Sequence, residues 1–164
     1  MKIQDYQIKC KRSCPDLGAN SNFLHMELGV LTEIGEVLDV FKKNIAYNKP
    51  IDYVNLGEEL SDISWYLCNQ ATFRNLEVNF EHFKADYKIT SQDEVLEYLM
   101  YPDLNNTNFT LSFNIMKIAE FYNLDFEKLL DNNINKLLVR FPDKFTEEAA
   151  NNRNLEAERV ELEK

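Results

Sequence analysis

Glu33-Ile-Gly-Glu36 and Glu59-Leu-Ser-Asp62 are two pairs of acids, each at i, i+3 spacing inside an apolar segment. On a helix that spacing makes the two carboxylates neighbours on one face. Two such helices, packed antiparallel across the break at Asn48-Lys49-Pro50, would bring all four acids together. Four converging carboxylates do not stay ionised without a strong compensating charge. A hard divalent cation is the usual compensation, and an all-oxygen donor set selects Mg²⁺ or Mn²⁺. Lys136 and Arg140, at i, i+4, place two cations on one face of a later helix. Beside a carboxylate-bound metal they suit phosphate oxygens, with Arg able to bind in a bidentate way. Metal-dependent chemistry at a phosphoanhydride is the reaction class these residue types point to.

A single E-x-x-E is usually a solvated helix face. Two pairs on consecutive elements, each flanked by core residues, favour a site. The adjacent acids Glu58 and Asp39 read better as solvent-facing. Trp65 and Tyr66 offer faces for stacking a base, although aromatics at helical spacing are more often core. His25 precedes the first acidic pair within reach of a substrate, or else serves as a structural histidine. Asn133 and Asn135 suit hydrogen bonds to substrate or to a neighbouring helix. Lys42 and Lys43 read as cations near a helix end.

Helices must position these groups, because apolar residues recur at helical spacing nearly everywhere and strict alternation is rare. A short first helix is predicted over 3–12, then a loop at Pro15-Asp16-Leu17-Gly18, with Ser21 or Asn22 as the next cap. From Phe23 to about Tyr47, Leu24, Leu28, Leu31, Leu38 and Ile45 form an apolar stripe that Val30, Ile34, Val37 and Phe41 widen. Such a helix is expected to be wrapped on more than one side, and at least a dimer follows. Asp52 caps a helix to about Phe73 whose stripe is Leu56, Leu60, Ile63 and Leu67. Ser91-Gln92-Asp93-Glu94 is a capping box for a helix to about Met100. Pro102 to Asn106 is a loop, Thr107 precedes a helix through Tyr122, and Asp125 caps one ending near Arg140 before Phe141-Pro142. Thr146 to Lys164 is rich in charge and is expected as an exposed, partner-packed or frayed helix.

The 164 residues, 45% hydrophobic and 12% aromatic, fit one folded domain. A formal net charge of -10 argues against a nucleic-acid-binding surface. Cys10, Cys14 and Cys68 are an odd number, which fits free thiols in a reducing compartment. Cys10, Cys14 and His25 lack the fourth ligand and short spacings of a zinc site. Met1 to Cys14 carries charge throughout, and no apolar run approaches a membrane span, so a soluble cytoplasmic protein is expected.

Taken in order, the motifs resemble the all-α MazG-like nucleoside triphosphate pyrophosphohydrolases. The resemblance runs from Asp5-Tyr6-Gln7 through His25-Met-Glu-Leu-Gly-Val-Leu-Thr-Glu-Ile-Gly-Glu36-Val to Phe41-Lys42-Lys43. It resumes at Leu56-Gly-Glu-Glu59-Leu-Ser-Asp62-Ile-Ser-Trp65-Tyr66-Leu67 and closes with Asn132-Asn133-Ile-Asn135-Lys136-Leu137-Leu-Val-Arg140-Phe-Pro142. It implies a dimerising helical bundle of four core helices plus an inserted helical segment. The pyrophosphohydrolase domain would cover 1–145 with the insertion at 76–106, followed by a charged tail at 146–164. Glu33, Glu36, Glu59 and Asp62 would hold Mg²⁺, with Mn²⁺ as a substitute, and Lys136 and Arg140 would face the substrate phosphates. The implied reaction is attack of water on an NTP or dNTP, giving the monophosphate and pyrophosphate. Either Glu36 or Glu33 would act as base. The tail is similar to that of phage-encoded members and suggests a role in nucleotide-pool control.

Two other classes compete. A carboxylate-bridged di-iron bundle needs E-x-x-H motifs, and neither His25 nor His82 has a Glu three residues before it. A non-catalytic helical adaptor would keep its folding and function in Glu33→Gln and Asp62→Asn, and an acidic mimic of nucleic acid would spread its acids over the outer surface instead of gathering them.

Overall fold

Asp52 turns the chain from the first long helix into the second, and its carboxylate accepts hydrogen bonds from the amides of Val54 and Asn55. A cap of this kind contributes about 1 kcal/mol. In the computed structural model, which describes residues 1–80, 83, 86–102 and 109–164 (Phe109 by its backbone only), the described residues form an all-α fold. The helices are α1 (Ile3–Cys10), α2 (Ala19–Tyr47), α3 (Tyr53–Phe73), α4 (Gln92–Met100), α5 (Phe109–Phe121), α6 (Phe126–Arg140), α7 (Glu147–Asn151) and α8 (Leu155–Leu162). A 3-10 turn, Lys11–Ser13, extends α1.

Helices α2 and α3 form a hairpin with the most extensive contact among the described residues, and α6 packs across α3, α1 and α5. The core is built from Met26, Val30, Ile34, Val37 and Phe41 of α2 against Leu56, Leu60, Ile63 and Leu67 of α3, closed by Ile115, Ile118, Leu130 and Leu137. Close approach within the hairpin depends on Gly29. A Cβ there would lie 2.1 Å from Cε1 of Tyr66, so the Tyr66 ring rests on bare helix backbone.

The predicted ends of α3, α4 and α6 hold, because each start has a side-chain cap. Asp125 accepts from the Lys128 amide and Ser91 from the Glu94 amide. Glu94 returns the contact one residue early, accepting from the Thr90 amide rather than that of Ser91. The start of α2 differs. It begins at Ala19 with Gly18 as N-cap at φ 81, a left-handed conformation that favours glycine. Asn22 lies inside the helix and reaches back, accepting from the Leu17 amide and donating to Asp16. The loop over Pro102 to Asn106 and the Thr107 start fall largely on 103–108, outside the described residues.

The apolar stripe of α2 needs correction. The side buried against the rest of the chain is Val30, Ile34, Val37 and Phe41, whereas Leu24, Leu28, Leu31 and Ile45 are exposed and Leu38 is half-buried. Both sets keep helical period, so the pattern alone did not tell which faced inward. The tail also differs from a frayed helix. It forms α7 and α8, and α8 packs on α6, where Asn132 donates to the Leu162 carbonyl.

Candidate active site

Helical spacing puts Glu33 on the face of α2 that meets α3, and Glu59 and Asp62 on the facing side of α3. Carboxylate oxygens of these three residues all lie within 4.8 Å of one another. They line an open cavity of about 470 Å³, together with Glu36, Glu58, Thr32, His25, Trp65, Tyr66, Arg140 and Arg153. Glu36 is exposed at the cavity wall and stands outside the tight trio.

Burial and mutual repulsion govern the trio. Burial, then the charge of Asp62, pushes the Glu33 carboxyl up to about 7. Glu59 is pushed up to about 9 by burial and by the charges of Asp62, Glu58 and Glu33. Glu33 and Glu59 act on each other directly, so the two acids titrate as a pair and not one by one. The site fits a hard divalent cation: its donors are all carboxylate oxygens, and the two acids forced towards protonation are those a cation would return to the ionised state.

Asp62 is fixed from behind by α6. Lys136 Nζ donates to both its oxygens at 2.7 and 2.6 Å and to Glu58 Oε1 at 3.2 Å. Asn133 Nδ2 donates to Asp62 Oδ1 at 2.6 Å, and Tyr6 OH donates to Asn133 Oδ1 at 2.7 Å. Burial alone would lower the Lys136 ammonium pKa, but the charges of Asp62 and Glu58 outweigh it and the net shift is upward. Lys136 and Asn133 therefore lie behind the acids and do not reach the cavity wall, while Arg140, one turn beyond Lys136, does.

The aromatic candidates line the cavity and also belong to the core. Trp65 is buried, donates from Nε1 to Ser13 Oγ at 3.0 Å and meets Tyr66 edge-on. His25 meets the other side of the site through an edge contact with Tyr66 at 5.7 Å, and its Nδ1 has no partner among the described residues. Burial lowers the His25 pKa, which favours the neutral imidazole.

The placements of Glu58 and Arg140, like that of Lys136, depart from the reading of the residues. Glu58 is not solvent-facing: it pairs with Lys136 and lines the cavity. Asp39 is tied to Lys42 and Lys43 on its own helix. Arg140 is not free at the cavity, because Glu158 of α8 accepts from its Nε at 3.0 Å and from its NH2 group at 2.5 Å. Arg153, in the link between α7 and α8, joins the same carboxylate at 2.7 Å. The signal for Glu58 was its position beside Glu59. No local pattern marked Arg153 or Glu158, since only the return of the tail onto α6 brings them to the site. No family model, curated protein or solved structure matches the chain.

Proposed function

We propose that this chain hydrolyses nucleoside triphosphates, ribo- or deoxyribo-, to the monophosphate and pyrophosphate in a reaction that requires a divalent cation. The observation that carries the reading is the gathering of Glu33, Glu59 and Asp62 within 4.8 Å on a cavity that Arg140 and Arg153 also line. Acids that merely solvated the surface would not converge on one cleft beside two guanidiniums. The order of the E-x-x-E, E-x-x-D and K-L-x-x-R-F-P motifs, which resembles that of the MazG-like enzymes, points the same way.

Glu33, Glu59 and Asp62 would hold Mg²⁺, or Mn²⁺ in its place, and the cation would supply charge neutralisation and Lewis-acid polarisation of the polyphosphate. Lys136 and Asn133 hold Asp62 in one orientation, so the acid meets its ligand without a search through rotamers. Arg140 engages phosphate oxygens. Glu36, which stands at the cavity wall outside the trio, takes the proton of the attacking water. The water oxygen bonds to the α-phosphorus as the bond to the bridging oxygen breaks, and pyrophosphate leaves. His25, Tyr66 and Trp65 form an aromatic wall against which the base lies. The exposed leucines of α2 form the contact of a homodimer. Such an enzyme acts in nucleotide-pool control. Among the described residues, no helix is long and apolar enough to cross a membrane.

Pyrophosphate release from a panel of NTPs and dNTPs, with and without Mg²⁺ or Mn²⁺, tests the reading in wild type and Glu36→Gln. Metal-dependent release that the variant loses supports it. Absence of release from every nucleotide, with no metal binding by calorimetry, would return the chain to the class of non-catalytic acidic adaptors.

A further inference from the structure

Glu158 is 2% exposed, yet it carries a carboxylate between two guanidiniums. Burial opposes its ionisation, but the hydrogen bonds and charges of Arg140 and Arg153 overcome this and hold the carboxyl down at about 2. Two cations and one anion leave this group with one unit of excess positive charge, on a cavity whose other charged lining residues are all acids. The donors explain where that excess points. Arg153 uses Nε and one terminal nitrogen on Glu158, and Arg140 does the same. The second terminal nitrogen of each guanidinium has no hydrogen bond to any described residue.

Resting on the pyrophosphohydrolase reading, we propose that Arg153 is a second phosphate-binding residue, delivered to the cavity by the C-terminal segment, and that Glu158 is its positioning residue. The segment is built for delivery. Asn154 caps α8 by accepting from the Ala157 amide at 3.1 Å, Asn132 holds the Leu162 carbonyl, and Arg159 pairs with Asp52 at 3.3 Å. These contacts fix the link that carries Arg153 against the end of α6, where Arg140 emerges. Glu158 then spaces the two guanidiniums, whose charges would otherwise repel. The ligand class is the polyphosphate of a nucleotide: two guanidiniums with free N–H groups match the several oxygens of adjacent phosphoryl groups, and no feature of the pair reads a base.

The test is calorimetric titration of the full chain with an α,β-methylene nucleoside triphosphate in Mg²⁺, which reads binding without turnover. The variants are Arg153→Ala, Arg153→Lys and Glu158→Gln, each checked for unchanged helicity by circular dichroism. Arg153→Ala is expected to weaken binding about tenfold, with Arg153→Lys recovering part of the loss. Glu158→Gln is expected to weaken binding by a smaller factor and to make it more sensitive to salt. On turnover, the loss should fall on KM more than on kcat. Folded Arg153→Ala that binds the analogue within twofold of wild type overturns the proposal, as does full recovery of binding in Glu158→Gln combined with Arg153→Ala. If wild type binds the analogue in an Arg153-dependent way but releases no pyrophosphate, the phosphate site stands and the hydrolytic reading fails.

Discussion

Lys136 Nζ lies 2.7 and 2.6 Å from the two oxygens of Asp62, with the lysine side chain 1% exposed. Burying the lysine this deeply costs desolvation that its attraction to the half-buried Asp62 only partly offsets. Here Asn133 and Glu58 add further contacts, so the cluster is held on the side away from the cavity. Removing the lysine takes away the one cation that hydrogen-bonds Asp62 and Glu58 among the described residues, and leaves Arg153 to act on them from across the cavity. Lys136→Met is expected to lower stability by about 3 kcal/mol in urea denaturation without metal, and part of the loss should return on adding Mg²⁺. Unchanged stability would mean that Asp62 does not depend on the lysine.

Metal-free protein should also lose stability as pH rises. Glu33 and Glu59 ordinarily titrate near about 4.3 when unfolded, and the fold raises them to about 7 and about 9. The folded state then binds more protons than the unfolded one between those values, and linkage makes stability fall with pH. The contribution is fully present below about 4.3 and is lost as pH passes through 7 and towards 9. Thermal melting in chelator should give a Tm that declines across this window, and saturating Mg²⁺ should flatten the decline at its alkaline end. Glu33→Gln with Glu59→Gln should flatten it without metal. An equal slope in that variant would place the pH dependence elsewhere.

Much of the helical frame was legible because its signals are local. Asp52, Ser91 and Asp125 accept amide hydrogen bonds within three residues of themselves, so their elements begin where side-chain chemistry requires. The acid pairs were legible for the same reason, since a helix fixes which residues share a face. What the spacing left open was the end point of long side chains and the identity of the neighbour. Lys136 and Arg140 do lie one turn apart on α6, yet Lys136 turns back to Asp62 while Arg140 reaches the cavity. Glu58 looked solvated only because its partner comes from 78 residues away.

Gly29 supplies a test of the hairpin itself. Alanine favours a helix over glycine by about 1 kcal/mol, but its Cβ would meet the Tyr66 ring at 2.1 Å. Overpacking of this kind costs about 1–3 kcal/mol, so Gly29→Ala is expected to be net destabilising in denaturant unfolding. Gly29→Ala combined with Tyr66→Ala should recover the clash part of that loss. A stabilised single variant would show that Tyr66 moves aside freely.

The outer face of α2 carries the expectation for assembly. Leu28 and Leu31 are 52% and 48% exposed one turn apart, on a stripe that continues to Leu24. The chain should sediment as a dimer, and Leu28→Glu with Leu31→Glu should shift it towards the monomer at equal concentration. A wild-type monomer at all concentrations would assign the stripe to another partner.

The most direct measurement is phosphorus NMR of a nucleoside triphosphate incubated with the chain and Mg²⁺. Equal amounts of monophosphate and pyrophosphate are expected, formed only when metal is present and abolished in Glu59→Gln. Diphosphate with inorganic phosphate would place the attack on the wrong phosphorus, and an unchanged spectrum across the nucleotide panel would contradict the hydrolytic reading outright.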